Sequence, residues 1–154
     1  MIKIFLLVLS FVLLPHLIYN NNEVSPYMNT LPETYEVHYR HNTLTAYRQD
    51  DEYIVIIENF GEPYKQAVFT SDRKCVKTYS ISLIPAFHES THTGTNWDEI
   101  QQKFGLPHTD TGSGFYIPTY VTEDAHLVKY IVGAEGVEGI TVTDIITKEI
   151  VYQE

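Results

Sequence analysis

The chain has 154 residues, of which 44 % are hydrophobic, and it carries 20 acidic against 10 basic residues, for a net charge of −10. This composition excludes a disordered chain and allows one domain with a core, which would bury roughly two thirds of its unfolded surface. The acidic surface repels phosphate backbones and no Lys/Arg cluster offsets it, so we expect no nucleic-acid partner. The single cysteine, Cys75, excludes an intramolecular disulfide.

The N-terminus carries an export pattern. Lys3 precedes an almost purely apolar run, IFLLVLSFVLL at residues 4–14. Its length suits the hydrophobic region of a signal peptide, about 7–15 residues, better than a spanning helix of about 20 or a buried core helix. Residues 17–20 offer no small-x-small cleavage site, so residues 1–19 are predicted to be a signal peptide or a membrane anchor, with membrane contact through residues 4–19.

A polar, Asn- and Pro-bearing linker is predicted at residues 20–34, followed by one α+β domain at residues 35–154. Its first half has the pattern of an antiparallel meander, because β-rich runs alternate with short turn-forming segments. The predicted strands are 35–40, 43–48, 52–58, 64–70 and 74–84. For 52–58 a helix is the alternative, since Tyr53, Ile56 and Phe60 also fall at helical spacing, but the β-branched residues favour a strand.

The second half begins with a predicted helix. Thr95 is its expected N-cap, and Trp97, Ile100 and Phe104 form one apolar stripe that should face the sheet. Gly105 ends the helix. Strands are expected at 115–122, 127–132, 139–146 and 149–152, so the predicted fold class is α+β, mostly antiparallel sheet with one short helix.

The motif Phe-Gly-x-Pro occurs at residues 60–63 and again at 104–107, each time before a strand hairpin. This indicates a degenerate internal repeat of 35–84 and 95–154.

Residues 88–92 read His-Glu-Ser-Thr-His, the HExxH pattern of zinc proteases. Two histidines four residues apart reach one metal ion only on a helix, where both rings leave the same face. The sequence disfavours a helix here, because Pro85 lies shortly before the motif, Ser90 and Thr91 lie within it and Gly94 follows it. We therefore predict a polar loop and no metal or cofactor, with a metalloprotease that uses His88, Glu89 and His92 as the alternative.

Residues 110–113 read Asp-Thr-Gly-Ser, which resembles the active-site signature of aspartic proteases. That chemistry needs two carboxylates that share a proton, and the chain has one copy of the motif, so a homodimer would be required. No apolar strand precedes Asp110, and few residues follow it. We predict instead that Asp110 caps a Gly-Ser-Gly turn that leads into a strand. A triad of Ser113, His108 and Asp110 is also conceivable, but polar residues in one loop are common.

The order of the second half resembles a known family. A Trp-bearing helix is followed by KFGLPH at 103–108, DTGSGFYIPTYV at 110–121 and a strand hairpin. This order is similar to that of the small α+β modules of bacterial envelope proteins, of the β-lactamase-inhibitor-like and outer-membrane-assembly-lipoprotein-E-like families. The resemblance covers about residues 95–152, and the lipid-anchor cysteine of those lipoproteins is missing. It implies a non-catalytic protein-binding or scaffolding role, by analogy of fold.

These observations predict an exported or membrane-tethered, non-catalytic binding module of the cell envelope, with an unidentified protein partner; a hydrolase is the alternative. The predicted binding residues are Asp110, Ser113, Tyr116 and Tyr120. If Phe115 and Ile117 face the core, strand alternation exposes the tyrosines as an amphipathic strip. The competing interpretation is that the tyrosines belong to the core or to a sheet edge.

Overall fold

The computed structural model describes residues 35–39, 42–87, 91–112 and 114–154. Residues 1–34, which hold the predicted signal or anchor segment and linker, lie outside the described residues, as do His88, Glu89 and Ser113. The side chains of β1 are not described either. Within the described ranges, no helix combines the length and apolar character needed to cross a membrane.

The first half is a five-stranded antiparallel meander in the order β1-β2-β3-β4-β5, as predicted. Its strands are β1 (Tyr35–Tyr39), β2 (Asn42–Gln49), β3 (Glu52–Glu58), β4 (Lys65–Thr70) and β5 (Cys75–Tyr79). The central strand, β3, has buried side chains on both faces, including Ile54 and Val55, which suits its run of β-branched residues. The choice of strand over helix for 52–58 is confirmed.

The predicted strand at 74–84 is too long. β5 ends at Tyr79 because Ser80 adopts a left-handed backbone with φ of 50°. Ile84 then forms an isolated parallel bridge to Thr122, with its N–H donating to the carbonyl of Val121 at 3.1 Å. The segment after β5 thus leaves the first sheet and attaches to the second.

The second half contains α1 (Trp97–Phe104) and a second antiparallel meander. Asn96, and not Thr95 as predicted, caps α1, because its Oδ1 accepts the Asp98 N–H at 2.8 Å. The Thr95 hydroxyl instead donates to the His92 carbonyl at 2.6 Å. Gly105, with φ of 79°, ends the helix as predicted.

The strands of the second sheet differ in part from the prediction. They are β6 (Thr109–Asp110), β7 (Pro118–Val121), β8 (His126–Gly133), β9 (Gly136–Asp144) and β10 (Ile150–Gln153). The short β6 was not predicted, and β7 is shorter than 115–122 because only Tyr116 continues the pairing, as an isolated bridge to Val132. β9 ends at Asp144, whose Oδ1 accepts the N–H groups of Ile146 and Thr147 in a turn.

Two clusters of buried side chains organise these layers. The first joins inward-facing residues of the first sheet, such as Leu44 and Phe69, to Val121 and Leu127 of the second. The second lies between the other face of the second sheet and α1, and includes Ile100, Tyr120 and Tyr130. Of the predicted helix stripe, Ile100 is buried, whereas Trp97 and Phe104 are only partly buried against this cluster.

The described part of the chain is therefore mostly antiparallel sheet with one short helix. Tyr35–Glu154 form one compact unit. The two Phe-Gly-x-Pro motifs occupy different places, at the β3–β4 turn and at the end of α1, although Gly61 and Gly105 share a φ of 79°. The internal repeat stays a prediction.

Candidate functional site

The loop between β6 and β7 is closed by one carboxylate. Oδ1 of Asp110 accepts the N–H groups of Gly112 and Ile117, both at 3.0 Å, and the Thr111 N–H donates to the Ile117 carbonyl at 3.0 Å. Position 112 requires glycine because the backbone of Phe115 lies close to it, and an added Cβ would be 1.9 Å from the carbonyl oxygen of Phe115. The predicted capping role of Asp110 is confirmed, and its carboxylate joins the two ends of the loop.

This loop presents two aromatic side chains to solvent. Phe115 is 70 % exposed and Tyr116 is 39 % exposed. The Tyr116 ring packs edge-to-face on Trp97 at a centroid distance of 5.7 Å, and its carbonyl accepts the Val132 N–H at 3.1 Å. Partial burial raises the pKa of the Tyr116 hydroxyl, and the charge of Asp110 raises it further. We call Asp110, Phe115 and Tyr116 the loop rim.

Tyr120, by contrast, is fully buried. Its hydroxyl donates to the Gly105 carbonyl at 2.9 Å, and its ring lies among those of Trp97, Phe104, His108 and Tyr130. Burial raises the pKa of this hydroxyl, with further contributions from Tyr116 and Tyr130. Tyr120 therefore connects β7 to the end of α1 and presents no surface for a partner.

The predicted tyrosine strip is wrong in its assignment of faces. Phe115 was expected to face the core and is exposed, whereas Tyr120 was expected at the surface and is buried. Gly114, with φ of 101°, redirects the backbone before Phe115. Both faces of β7 are covered, since all four of its side chains are buried and Tyr120 packs against α1, so the competing interpretation of a core residue holds for Tyr120. Tyr116 remains at the surface. Ser113 lies outside the described residues.

His108 is buried and both of its ring nitrogens have partners. The Val121 N–H donates to Nδ1 at 2.9 Å, so the proton is on Nε2, which donates to the Ser82 carbonyl at 2.9 Å. Burial lowers the pKa of His108 to about 4, the hydrogen bond to Ser82 opposes this, and the charge of Lys65 adds to it. A nucleophile-activating role needs a free ring nitrogen, and His108 has none.

The carbonyl of His108 links the two halves of the chain. It accepts hydrogen bonds from Asn59 Nδ2 at 2.9 Å and from Lys65 Nζ at 3.0 Å. These donors flank the first Phe-Gly-x-Pro motif, and His108 directly follows the second. Sequence reasoning missed this connection, although the repeated motif signalled that both segments are turns.

Of the HExxH motif, Thr91 and His92 are described, and neither lies in a helix. His92 is exposed, and its Nδ1 lies 3.2 Å from Oε2 of Glu154. Hydrogen bonds to Glu154 from Tyr152, Thr93 and His92 lower the pKa of its carboxyl group to about 2. Among the described residues, no three His, Cys, Asp or Glu side chains are grouped to hold a metal ion.

Comparisons of the chain with family models, curated proteins and solved structures found no match.

Proposed function

We propose that the chain is an exported or membrane-tethered, non-catalytic module that binds a protein partner of the cell envelope through its loop rim. The apolar run at residues 4–14 supports export or anchoring, and the resemblance of residues 95–152 to small envelope modules supports a binding role. The module would face away from the cytoplasm.

The observation that carries the proposal is the exposure of two aromatic side chains on a loop that is hydrogen-bonded at both ends. Phe115 and Tyr116 stand on a loop whose ends are tied by Asp110. Binding through such a loop orders few additional groups, so less free energy is lost on association. Aromatic side chains with few rotatable bonds are also the ones most often found at the centre of protein interfaces.

Asp110 and His108 both make structural hydrogen bonds, which favours binding over catalysis. One oxygen of Asp110 accepts two amide hydrogens of its own loop, and both ring nitrogens of His108 hold the backbone. An aspartic-protease dyad would need a second carboxylate that shares a proton with Asp110, and the chain carries one copy of the motif.

Site-specific photo-crosslinking tests the proposal. The full chain is produced in its native host with p-benzoylphenylalanine in place of Phe115, and in a second strain in place of Phe60. Phe60 is the matched control because it is also a phenylalanine and is 80 % exposed. We expect a discrete protein adduct from position 115 in the envelope fraction and none from position 60.

Two results would overturn the proposal. An identical adduct pattern at both positions would indicate non-specific contact, and no adduct at position 115 would place the binding surface elsewhere. Fractionation of the same cells tests the location, since recovery of the full-length chain as a free cytosolic protein contradicts export and anchoring alike.

A further inference from the structure

Ligand-binding clefts in proteins have volumes of about 300–1,000 Å³. The described residues form a cleft of about 950 Å³, and none of the loop-rim residues lines it. It lies between β5, the turn before it, residues 81–86 and the β7–β8 turn. Its apolar lining includes Cys75, Ile81 and Leu83, and its charged residues include Arg73, Glu123 and Asp124. Both halves of the chain therefore contribute to one concave surface.

The basic residues of this cleft already have acidic partners. Arg73 donates to the buried carboxylate of Asp144, and Lys74 Nζ lies 2.6 Å from Oδ2 of Asp72. Asp124 accepts the Thr122 hydroxyl at 2.6 Å and lies 3.1 Å from His126 Nδ1. Glu123 is exposed and has no basic partner among the described residues. The unbalanced charge at the β7–β8 turn is therefore negative.

The same cleft is bordered by an edge strand. β5 is the last strand of the first sheet. Among the described strands it pairs with β4 on one side and with none on the other, and its side chains are mostly exposed. An edge strand presents outward-pointing N–H and C=O groups, to which an extended peptide can add as a further strand.

The acidic turn opposite β5 is fixed in place. The Glu123 N–H donates to the Ile84 carbonyl at 2.9 Å, and the Ile145 N–H donates to the Ala125 carbonyl at 2.9 Å. Ala125 is buried and holds a φ of 63°. A carboxylate on such a turn needs little reorganisation to meet a ligand.

We propose that this cleft binds an extended, basic peptide segment of a partner protein, which pairs with β5 and places a Lys or Arg side chain at Glu123. The apolar side chains of the peptide lie on Cys75, Ile81 and Leu83. The net charge of −10 attracts such a segment and accelerates the encounter. This site uses residues other than the loop rim and does not depend on the function proposed above.

The test uses the full chain and a fluorescein-labelled peptide of alternating residues, Lys-Val-Lys-Val-Lys-Val-Lys, followed by fluorescence anisotropy. We expect saturable binding that weakens with added salt, and no binding of the matched Glu-Val peptide. Glu123→Gln should weaken binding about two- to fivefold, the effect of an exposed ion pair. Glu99→Gln, which removes the same charge from an exposed position on α1, should leave the affinity unchanged.

Two further measurements distinguish strand addition in this cleft from general attraction to an acidic protein. N-methylation of alternate peptide amides should abolish binding, because it removes the donors of the β ladder. The peptide should also slow the alkylation of Cys75, the single thiol of the chain. Absence of binding, equal binding of both peptides, equal effects of Glu123→Gln and Glu99→Gln, or no effect of methylation would each overturn the proposal.

Discussion

Nε2 of His108 lies 2.9 Å from the carbonyl oxygen of Ser82, and this hydrogen bond joins the segment that follows the first sheet to the start of the second. Nδ1 of the same ring accepts the Val121 N–H. The ring can make both bonds only when it is neutral, because protonation of Nδ1 would place two hydrogens between Nδ1 and the Val121 nitrogen. His108 is therefore a pH-sensitive connection inside the domain.

We predict that acid weakens the fold through His108. Its pKa is about 4 in the folded chain against about 6.5 in the unfolded chain, so between these values the unfolded state binds more protons. The free energy of unfolding should fall as the pH drops from about 6.5 to about 4, by on the order of 3 kcal/mol. Urea unfolding at a series of pH values measures this slope.

His108→Gln is the informative variant for that slope. A glutamine side chain can donate and accept a hydrogen bond but does not titrate, so the variant should be less stable at pH 7.5 and lose much of the slope above pH 4. An unchanged slope in this variant would show that other groups cause the pH dependence.

A second prediction concerns the ion pair between Arg73 and Asp144. The Asp144 side chain is 2 % exposed, and it accepts hydrogen bonds from Arg73 and from the N–H groups of Ile146 and Thr147. Burial acts to raise the pKa of Asp144, but these hydrogen bonds outweigh it and leave the pKa below its ordinary value. The stabilisation is thus present above the ordinary carboxyl pKa and is lost as the pH falls through the lowered one.

Asp144→Ala should cost about 2–4 kcal/mol of unfolding free energy, since it leaves two turn amides without their acceptor, whereas the Arg73 side chain is 45 % exposed and can be solvated. Asp144→Asn keeps an amide acceptor and should cost less, about 1–3 kcal/mol. Chemical denaturation at neutral pH compares the two variants. Equal costs would mean that the charge, and not the turn, carries the stabilisation.

A third prediction concerns the HExxH motif. His88→Ala and His92→Ala should each change the unfolding free energy by no more than about 0.5 kcal/mol, as surface substitutions do. Elemental analysis of the purified full chain should give no stoichiometric zinc. Stoichiometric zinc that is lost in either variant would support the metalloprotease alternative instead.

The parts of the fold that the sequence predicted are those set by local patterns. The β-branched run of β3, the turn-forming residues between the first strands and Gly105 at the end of α1 each specify a conformation within a few residues. The cap of α1 was misplaced by one residue because Thr95 and Asn96 are both good N-caps. Thr95 was removed from that role by its bond to the His92 carbonyl.

The parts that were not predicted depend on contacts between distant residues. β6 is a strand because Thr109 and Asp110 pair with β7, and their own sequence has no strand pattern. The role of His108 depends on Ser82, and that of Arg73 on Asp144. Of the predicted binding residues, Asp110 and Tyr116 meet at the loop rim, whereas Tyr120 lies in the core because α1 covers its face of β7.

The last prediction separates the two tyrosines by stability. Tyr120→Ala should cost about 3–5 kcal/mol, as large aromatic truncations in a core do. Tyr120→Phe should cost only about 0.5–1.5 kcal/mol, because Gly105 is exposed and water can replace the donor that its carbonyl loses. Tyr116→Ala removes an exposed ring and should cost about 1 kcal/mol or less.

The single tryptophan, Trp97, contacts both rings, so its fluorescence follows unfolding in urea for every variant. Equal destabilisation by Tyr116→Ala and Tyr120→Ala would show that Tyr116 also supports the core. Phe115 would then be the remaining aromatic residue of the loop rim that could bind a partner.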